Sequence, residues 1–124
     1  MAHKVLIVDD DLLIRQVLRY SLRRAGYEVL EAANGPDALA SVSGDRPDVL
    51  LLDLMMPDVN GFAICSALRA NPATRGLPII MLTARADDQA RDLGMSAGAN
   101  AYLTKPVHPD ELVACVRRVL AGDA

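Results

Sequence analysis

Tryptophan is absent from the 124-residue chain, phenylalanine occurs once, and aromatic residues amount to 3%. A protein that grips single-stranded nucleic acid by stacking bases on aromatic side chains needs more than that. Positive charge is also short. Lys and Arg number 13 against 16 Asp and Glu, a net charge of -3, which gives no electrostatic hold on a phosphate backbone. Cysteine is scarce: Cys65 and Cys115 lie far apart, no CxxC occurs, and His3 and His108 do not cluster with them. That pattern argues against a Cys/His zinc site and for two small core residues in a reducing, cytoplasmic setting. No apolar run approaches the roughly 18 residues of a membrane span. The apolar run near the N-terminus stops at Asp9, Asp10 and Asp11, too soon for a secretory signal. Linkers, low-complexity tracts and repeats are missing as well. Gly94 and Gly98 match GxxxG, but outside a lipid-facing helix that spacing means little.

What is present is a globular composition, 52% hydrophobic and 23% charged, in a length that suits one domain over residues 1–124. Apolar runs alternate with helical patterns from end to end. Val5 to Val8 reads as a first strand. Ile14, Val17, Leu18, Ser21, Leu22 and Ala25 recur at helical spacing behind it, with Arg15, Arg19, Arg23 and Arg24 placed on the other side. Tyr27 to Ala32 reads as a second strand, whose Glu28 and Glu31 suit a sheet edge. Asn34-Gly35-Pro36 starts a helix with a narrow apolar face of Ala38, Leu39 and Val42. Val49 to Leu52, Ile79 to Leu82 and Ala101 to Leu103 read as further strands. Met55 to Asp58 forms a loop, Asn60 caps a third helix, a weaker helix spans about 87–97, and Leu112, Val116, Val119 and Leu120 mark the last. Five βα units with short connections predict an α/β fold, a parallel sheet covered on both faces.

Four strands end in a chemically capable residue: Asp9, Asp53, Thr83 and Lys105. Parallel strands share one carboxyl edge, where open α/β sheets place ligands. Carboxylates gathered there repel one another, and a hard divalent cation such as Mg²⁺ relieves the repulsion. A carboxylate can attack phosphorus and form an aspartyl phosphate. An ammonium and a hydroxyl then stabilise the phosphoryl oxygens. Taken singly, each signal has a plainer meaning: Asp11 as a helix cap, Thr83 as a strand terminus, Lys105 as a surface charge.

Val8-Asp9-Asp10, Leu52-Asp53-Leu54-Met55-Met56-Pro57, Asn60-Gly61, Leu82-Thr83-Ala84 and Lys105-Pro106 occur in register, and with them the whole chain resembles the response-regulator receiver domains of two-component phosphorelay signalling, the chemotaxis-regulator-like family. The resemblance implies a flavodoxin-like (βα)5 doubly wound sheet of order 2-1-3-4-5. It implies that Asp53 accepts a phosphoryl group from a histidine kinase or histidine phosphotransfer protein. Asp9, Asp10, Asp53 and the backbone carbonyl of Met55 would hold Mg²⁺, with Mn²⁺ as an alternative. Thr83 and Lys105 would contact the phosphoryl group, Tyr102 is the switch aromatic, and the Lys105–Pro106 bond is expected to be cis.

On this reading Thr83 moves toward the phosphate, Tyr102 fills the space vacated, and a face built from the 87–97 helix, the fifth strand and the last helix changes. It is read by a downstream protein, an output domain or a second copy in a phosphorylation-dependent homodimer. Met55 and Arg85 are expected to flank the path of a hydrolytic water. The domain is a phosphoacceptor rather than an enzyme, with self-phosphorylation from small donors and autodephosphorylation, and binds neither nucleic acid nor membrane directly. Two rival readings share parts of the pattern. A haloacid-dehalogenase-like phosphatase would use Asp9 with Asp11, but no cap domain fits the length. A flavin- or nucleotide-binding module shares the fold, but no GxGxxG or GxxxxGK[ST] follows the first strand.

Overall fold

Three of the apolar runs are continuous, without polar alternation, and such runs belong in the middle of a sheet covered on both faces. The computed structural model describes residues 2–57 and 60–122 and places them there. Strands β1 (Lys4–Val8), β3 (Val49–Leu52) and β4 (Ile79–Thr83) are central. Strands β2 (Glu28–Ala32) and β5 (Ala101–Thr104) form the edges of a five-stranded sheet of order β2-β1-β3-β4-β5. Every pairing is parallel, so this is the flavodoxin-like α/β arrangement. Helices α1 (Leu12–Arg24), α2 (Gly35–Asp45), α3 (Gly61–Ala70), α4 (Asp88–Ala97) and α5 (Pro109–Leu120) follow their strands in turn. Asp58, read above as part of a loop, lies outside the described residues.

Side chains alternate across a strand, and the core divides accordingly. Val5, Ile7, Val49, Leu51, Ile80 and Leu82 pack with Leu18 and Leu22 of α1 and with Leu112, Cys115, Val116 and Val119 of α5. Leu6, Val8, Leu50, Leu52, Ile79, Met81 and Tyr102 face α2, α3 and α4, meeting Ala38, Val42, Ile64, Cys65, Leu68 and Ala90. The two cysteines are free and buried, one in each half of the core.

The structure shifts several boundaries. β2 begins at Glu28, β5 runs on to Thr104, and Asp87 is the cap of α4. The division of α1 also differs from expectation. Leu18 and Leu22 are buried, whereas Val17 is 55% exposed. Arg15 and Arg19 share the inner face because they pair with Glu31 of β2. Leu39 of α2 is exposed as well; the helix buries Gly35, Ala38 and Val42.

Each helix begins at the carboxyl edge of the sheet and is capped there. Asp11 accepts from the Leu13 and Ile14 N–H groups, Asn34 from Asp37, Asn60 from Phe62 and Ala63, and Asp87 from Ala90. The start of α3 comes closest to the strand end. A Cβ on Gly61 would lie 2.6 Å from Leu54 Cδ2, 3.1 Å from Leu54 Cα and 3.3 Å from the Asp53 carbonyl oxygen. Two of those neighbours are backbone, which cannot yield cheaply. Gly61→Ala should therefore destabilise the fold by about 1–3 kcal/mol, read by urea denaturation; an unchanged midpoint would show that the approach is not tight.

Candidate functional site

The sheet continues for one residue past its strands, and that extension fixes the site. The Asp9 N–H donates to the Ala32 carbonyl at 3.1 Å, Asp53 N–H to Val8 at 3.0 Å and Lys105 N–H to Thr83 at 2.8 Å. Asp9, Asp53 and Lys105 are thus held in strand register at one edge. The Lys105–Pro106 bond is cis.

The side chains converge. Lys105 Nζ donates to Asp9 Oδ2 at 2.6 Å and to Asp53 Oδ2 at 3.2 Å. Asp9 Oδ1 accepts the Asp11 N–H at 2.9 Å, and Asp53 Oδ1 accepts the Met55 N–H at 3.0 Å. Asp10 is exposed at the mouth, and one carboxylate oxygen from each of Asp9, Asp10 and Asp53 lies within 4.8 Å of the others. Three carboxylates face one ammonium. Lys105 leaves a net negative pocket of hard oxygen donors, and that donor set fits a hydrated divalent cation better than a soft metal.

Burial sets the electrostatics. Asp9 is withdrawn from water, and that pushes its carboxyl above the usual carboxylate range; the Lys105 and Asp11 hydrogen bonds oppose the rise without cancelling it. Burial pulls Lys105 down, but its bonds and attraction to Asp9 and Asp53 outweigh this and keep it charged.

Asp9, Asp10, Asp53 and Lys105 are therefore brought together as the sequence pattern predicts. Met55 stands at the mouth, 56% exposed. Thr83 ends β4, fully buried; its Oγ1 accepts from the Arg85 N–H at 3.4 Å. Tyr102 lies apart from the carboxylates, on the α4 side. Its ring is already inside, 7% exposed, with its hydroxyl donating to the Arg85 carbonyl at 2.7 Å. The ring fits because residue 94 is glycine: a Cβ there would stand 2.7 Å from Met81 Sδ and 3.2 Å from the ring. The Arg85 side chain pairs through two bonds with Asp87. Asp11 caps α1 through one carboxylate oxygen, the plainer role its position suggests. Sequence reasoning missed Arg15, which donates to the Asp9 carbonyl at 2.7 Å and to Glu31. Spacing along α1 does not single it out, because its inward placement depends on Glu31, distant in sequence.

Comparison with known proteins agrees with this geometry. The family model for the response regulator receiver domain matches residues 5–117. The chain is 44% identical over 117 residues to the DNA-binding response regulator MtrA of Mycolicibacterium paratuberculosis, covering 94% of this chain and 51% of that protein. It thus spans about half the length of the curated relatives it matches. A crystal structure of a putative response regulator from Chloroflexus aurantiacus superposes with a TM-score of 0.93 at 45% identity, covering 98% of this chain and 99% of that one. The chemotaxis protein CheY4 of Vibrio cholerae gives 0.90 at 39% identity, with coverage of 96% and 99%. Among the described residues no helix is long and apolar enough to cross a membrane.

The raised Asp9 carboxyl has a sign that can be measured. Between the ordinary value of 3.8 and the raised folded value, the folded chain binds more protons than the unfolded one. Its contribution to stability therefore falls as pH rises through that window. In metal-free buffer the melting temperature of Asp9→Asn should gain on the wild type as pH climbs from about 4 to neutrality. Millimolar Mg²⁺ should raise the wild-type melting temperature at neutral pH and much less near pH 4, where protons compete for Asp9. An equal Mg²⁺ shift at both pH values would contradict the assignment.

Proposed function

The chain belongs to the response regulator receiver domain family, phosphoacceptor signalling modules rather than catalytic enzymes, and from that premise we propose that Asp53 is the residue that accepts the phosphoryl group. The observation that carries the reading is the acidic triad closed by Lys105 at the carboxyl edge of the sheet. Asp9, Asp10, Asp53 and the Met55 carbonyl are the groups assigned to Mg²⁺. When bound, the ion draws charge from the phosphoryl oxygens and lets carboxylate and phosphate approach.

The chain's own residues do the rest. The Met55 N–H and the Lys105 ammonium hold the two Asp53 oxygens, fixing the carboxylate's orientation. An Asp53 oxygen attacks phosphorus in line as the bond to the donor's imidazole nitrogen breaks. Lys105 then neutralises one phosphoryl oxygen. The Thr83 hydroxyl, freed from its long contact with the Arg85 N–H, donates to another. The donor is a histidine kinase or phosphotransfer protein. It must cross the mouth where α1 begins, and there Leu12, Leu13 and Val17 are more than half exposed, an apolar rest for its helices beside the acidic centre. The setting is cytoplasmic, over a receiver domain spanning 1–124, and the recipient of the signal is a downstream protein or an output domain.

Acetyl phosphate and Mg²⁺ should add one acid-stable, hydroxylamine-labile phosphate per chain. Asp53→Asn should abolish it and chelation should suppress it. Undiminished labelling of Asp53→Asn would overturn the reading.

The readout runs through the β4–α4 connection. Thr83 accepts from the Arg85 N–H, the Arg85 carbonyl accepts from Tyr102, and the Arg85 side chain holds Asp87, which caps α4. Drawing the Thr83 hydroxyl to the phosphoryl group pulls one end of that chain, and the α4-β5-α5 face responds. Thr83→Ala should still be labelled, but beryllofluoride should lose most of its effect on amide exchange in α4. An undiminished α4 response in Thr83→Ala would remove the hydroxyl from the mechanism.

A further inference from the structure

Asp9 is fixed at four points. Its N–H is tied to β2, Oδ1 to the Asp11 N–H, Oδ2 to Lys105, and its carbonyl oxygen to Arg15 Nη1 at 2.7 Å. The first three locate Asp9 itself. The fourth does something else. The peptide unit that joins Asp9 to Asp10 is planar, so holding the Asp9 carbonyl also fixes the Asp10 N–H and Cα. The Asp10 carboxylate is solvent-exposed, and its placement rests on that backbone.

Arg15 is itself held. Its Nε donates to Glu31 Oε1 at 3.2 Å, and Arg19 Nη1 takes Glu31 Oε2 at 2.6 Å. The Arg15 side chain is only 14% exposed and that of Glu31 23%. Guanidinium geometry suits the task, because one planar fork can serve a carboxylate and a carbonyl together, which an ammonium cannot do as rigidly.

We propose that Arg15, anchored by Glu31, is a positioning residue for the divalent-cation site: it locks the Asp9–Asp10 peptide and so presets the Asp10 carboxylate. The inference rests on reading Asp9, Asp10 and Asp53 as that site. It predicts a sign opposite to simple electrostatics. A cation near the pocket repels Mg²⁺, so on charge alone its removal tightens binding. Removing the lock weakens binding, because the turn must then be ordered by the metal itself.

The test is a Mn²⁺ titration of the unphosphorylated protein read by electron paramagnetic resonance, with Mg²⁺ as competitor. Arg15→Ala should weaken binding about 10-fold. Glu31→Gln should act in the same direction but less. The double variant should match Arg15→Ala alone, since both changes break one linkage. Arg15→Lys keeps the charge without the fork and should also weaken binding. The metal concentration for half-maximal acetyl phosphate labelling should rise by the same factor in each variant. Equal or tighter binding in Arg15→Ala, or wild-type binding in Arg15→Lys, would overturn the proposal. If Arg15→Ala fails to fold, Arg15→Lys and Glu31→Gln decide it. A wild type that binds no Mn²⁺ would overturn the cation site itself, and with it this inference. Wild-type binding with unaffected variants would overturn the role of Arg15 alone.

Discussion

A single ammonium between two buried carboxylates organises this molecule. Withdrawing Asp9 and Asp53 from water at the end of an apolar sheet is expensive, and an unpaired buried charge would be ruinous. Lys105 makes it tolerable by bonding to both, yet it cannot balance the charge. The site keeps a negative excess that the fold endures rather than cures, and the raised Asp9 carboxyl records the cost. Lys105 reaches this position only because β5 lies beside β4, and Asp53 reaches Asp9 only because β3 lies beside β1. The crossovers that build a 2-1-3-4-5 sheet are thus also what assemble the charge cluster. Five helix N-termini end on the same edge, where their dipoles favour anions.

The two faces of the sheet do different work. On the α1/α5 side, branched and aliphatic side chains pack densely, and the Arg15–Glu31–Arg19 linkage ties α1 to the edge strand. That side is suited to holding ligands still. On the other face α4 itself is light: it buries only Ala90 and Gly94. Small contacts give up little on moving, which is what the proposed readout through α4 would use.

Much of this was legible in the residues. Central strands announce themselves as unbroken apolar runs, and the polar residue that ends each run marks the edge where they meet. Asp9, Asp53, Thr83 and Lys105 could be placed because strand direction is a property of the whole sheet and needs no side-chain detail. Arg15 could not. Helical periodicity assigns charged residues to the outer face, and the exception depends on Glu31, distant in sequence but paired across β2 and α1. Leu13 and Val17 are likewise exposed although apolar, which helical spacing alone does not foretell. Tyr102 was placed on the correct strand, but its rotamer follows from the missing Cβ of Gly94, which no spacing rule exposes.

The inward Tyr102 bears on how the proposed phosphoryl switch would have to work. An aromatic that must first enter a cavity would couple to phosphorylation through empty space beside Thr83. Here the ring is seated, its hydroxyl bonded to the Arg85 carbonyl and its face under the Arg91 guanidinium at 5.7 Å. The adjustable part is then the connecting backbone. Its Arg85 N–H makes the longest contact in the chain of bonds, 3.4 Å to the Thr83 hydroxyl, whereas the Tyr102 bond is short at 2.7 Å. A weak link beside a strong one yields first. On the proposed phosphorylation of Asp53, the weak contact would be exchanged for a charge-assisted one at the phosphate, and the Tyr102 bond would carry the displacement toward Asp87 and α4. Such a device biases an equilibrium only by the difference between those two contacts of one hydroxyl. That difference is a modest bias, so the proposed mechanism would need the lightly packed α4: a helix anchored as firmly as α5 would not respond to it.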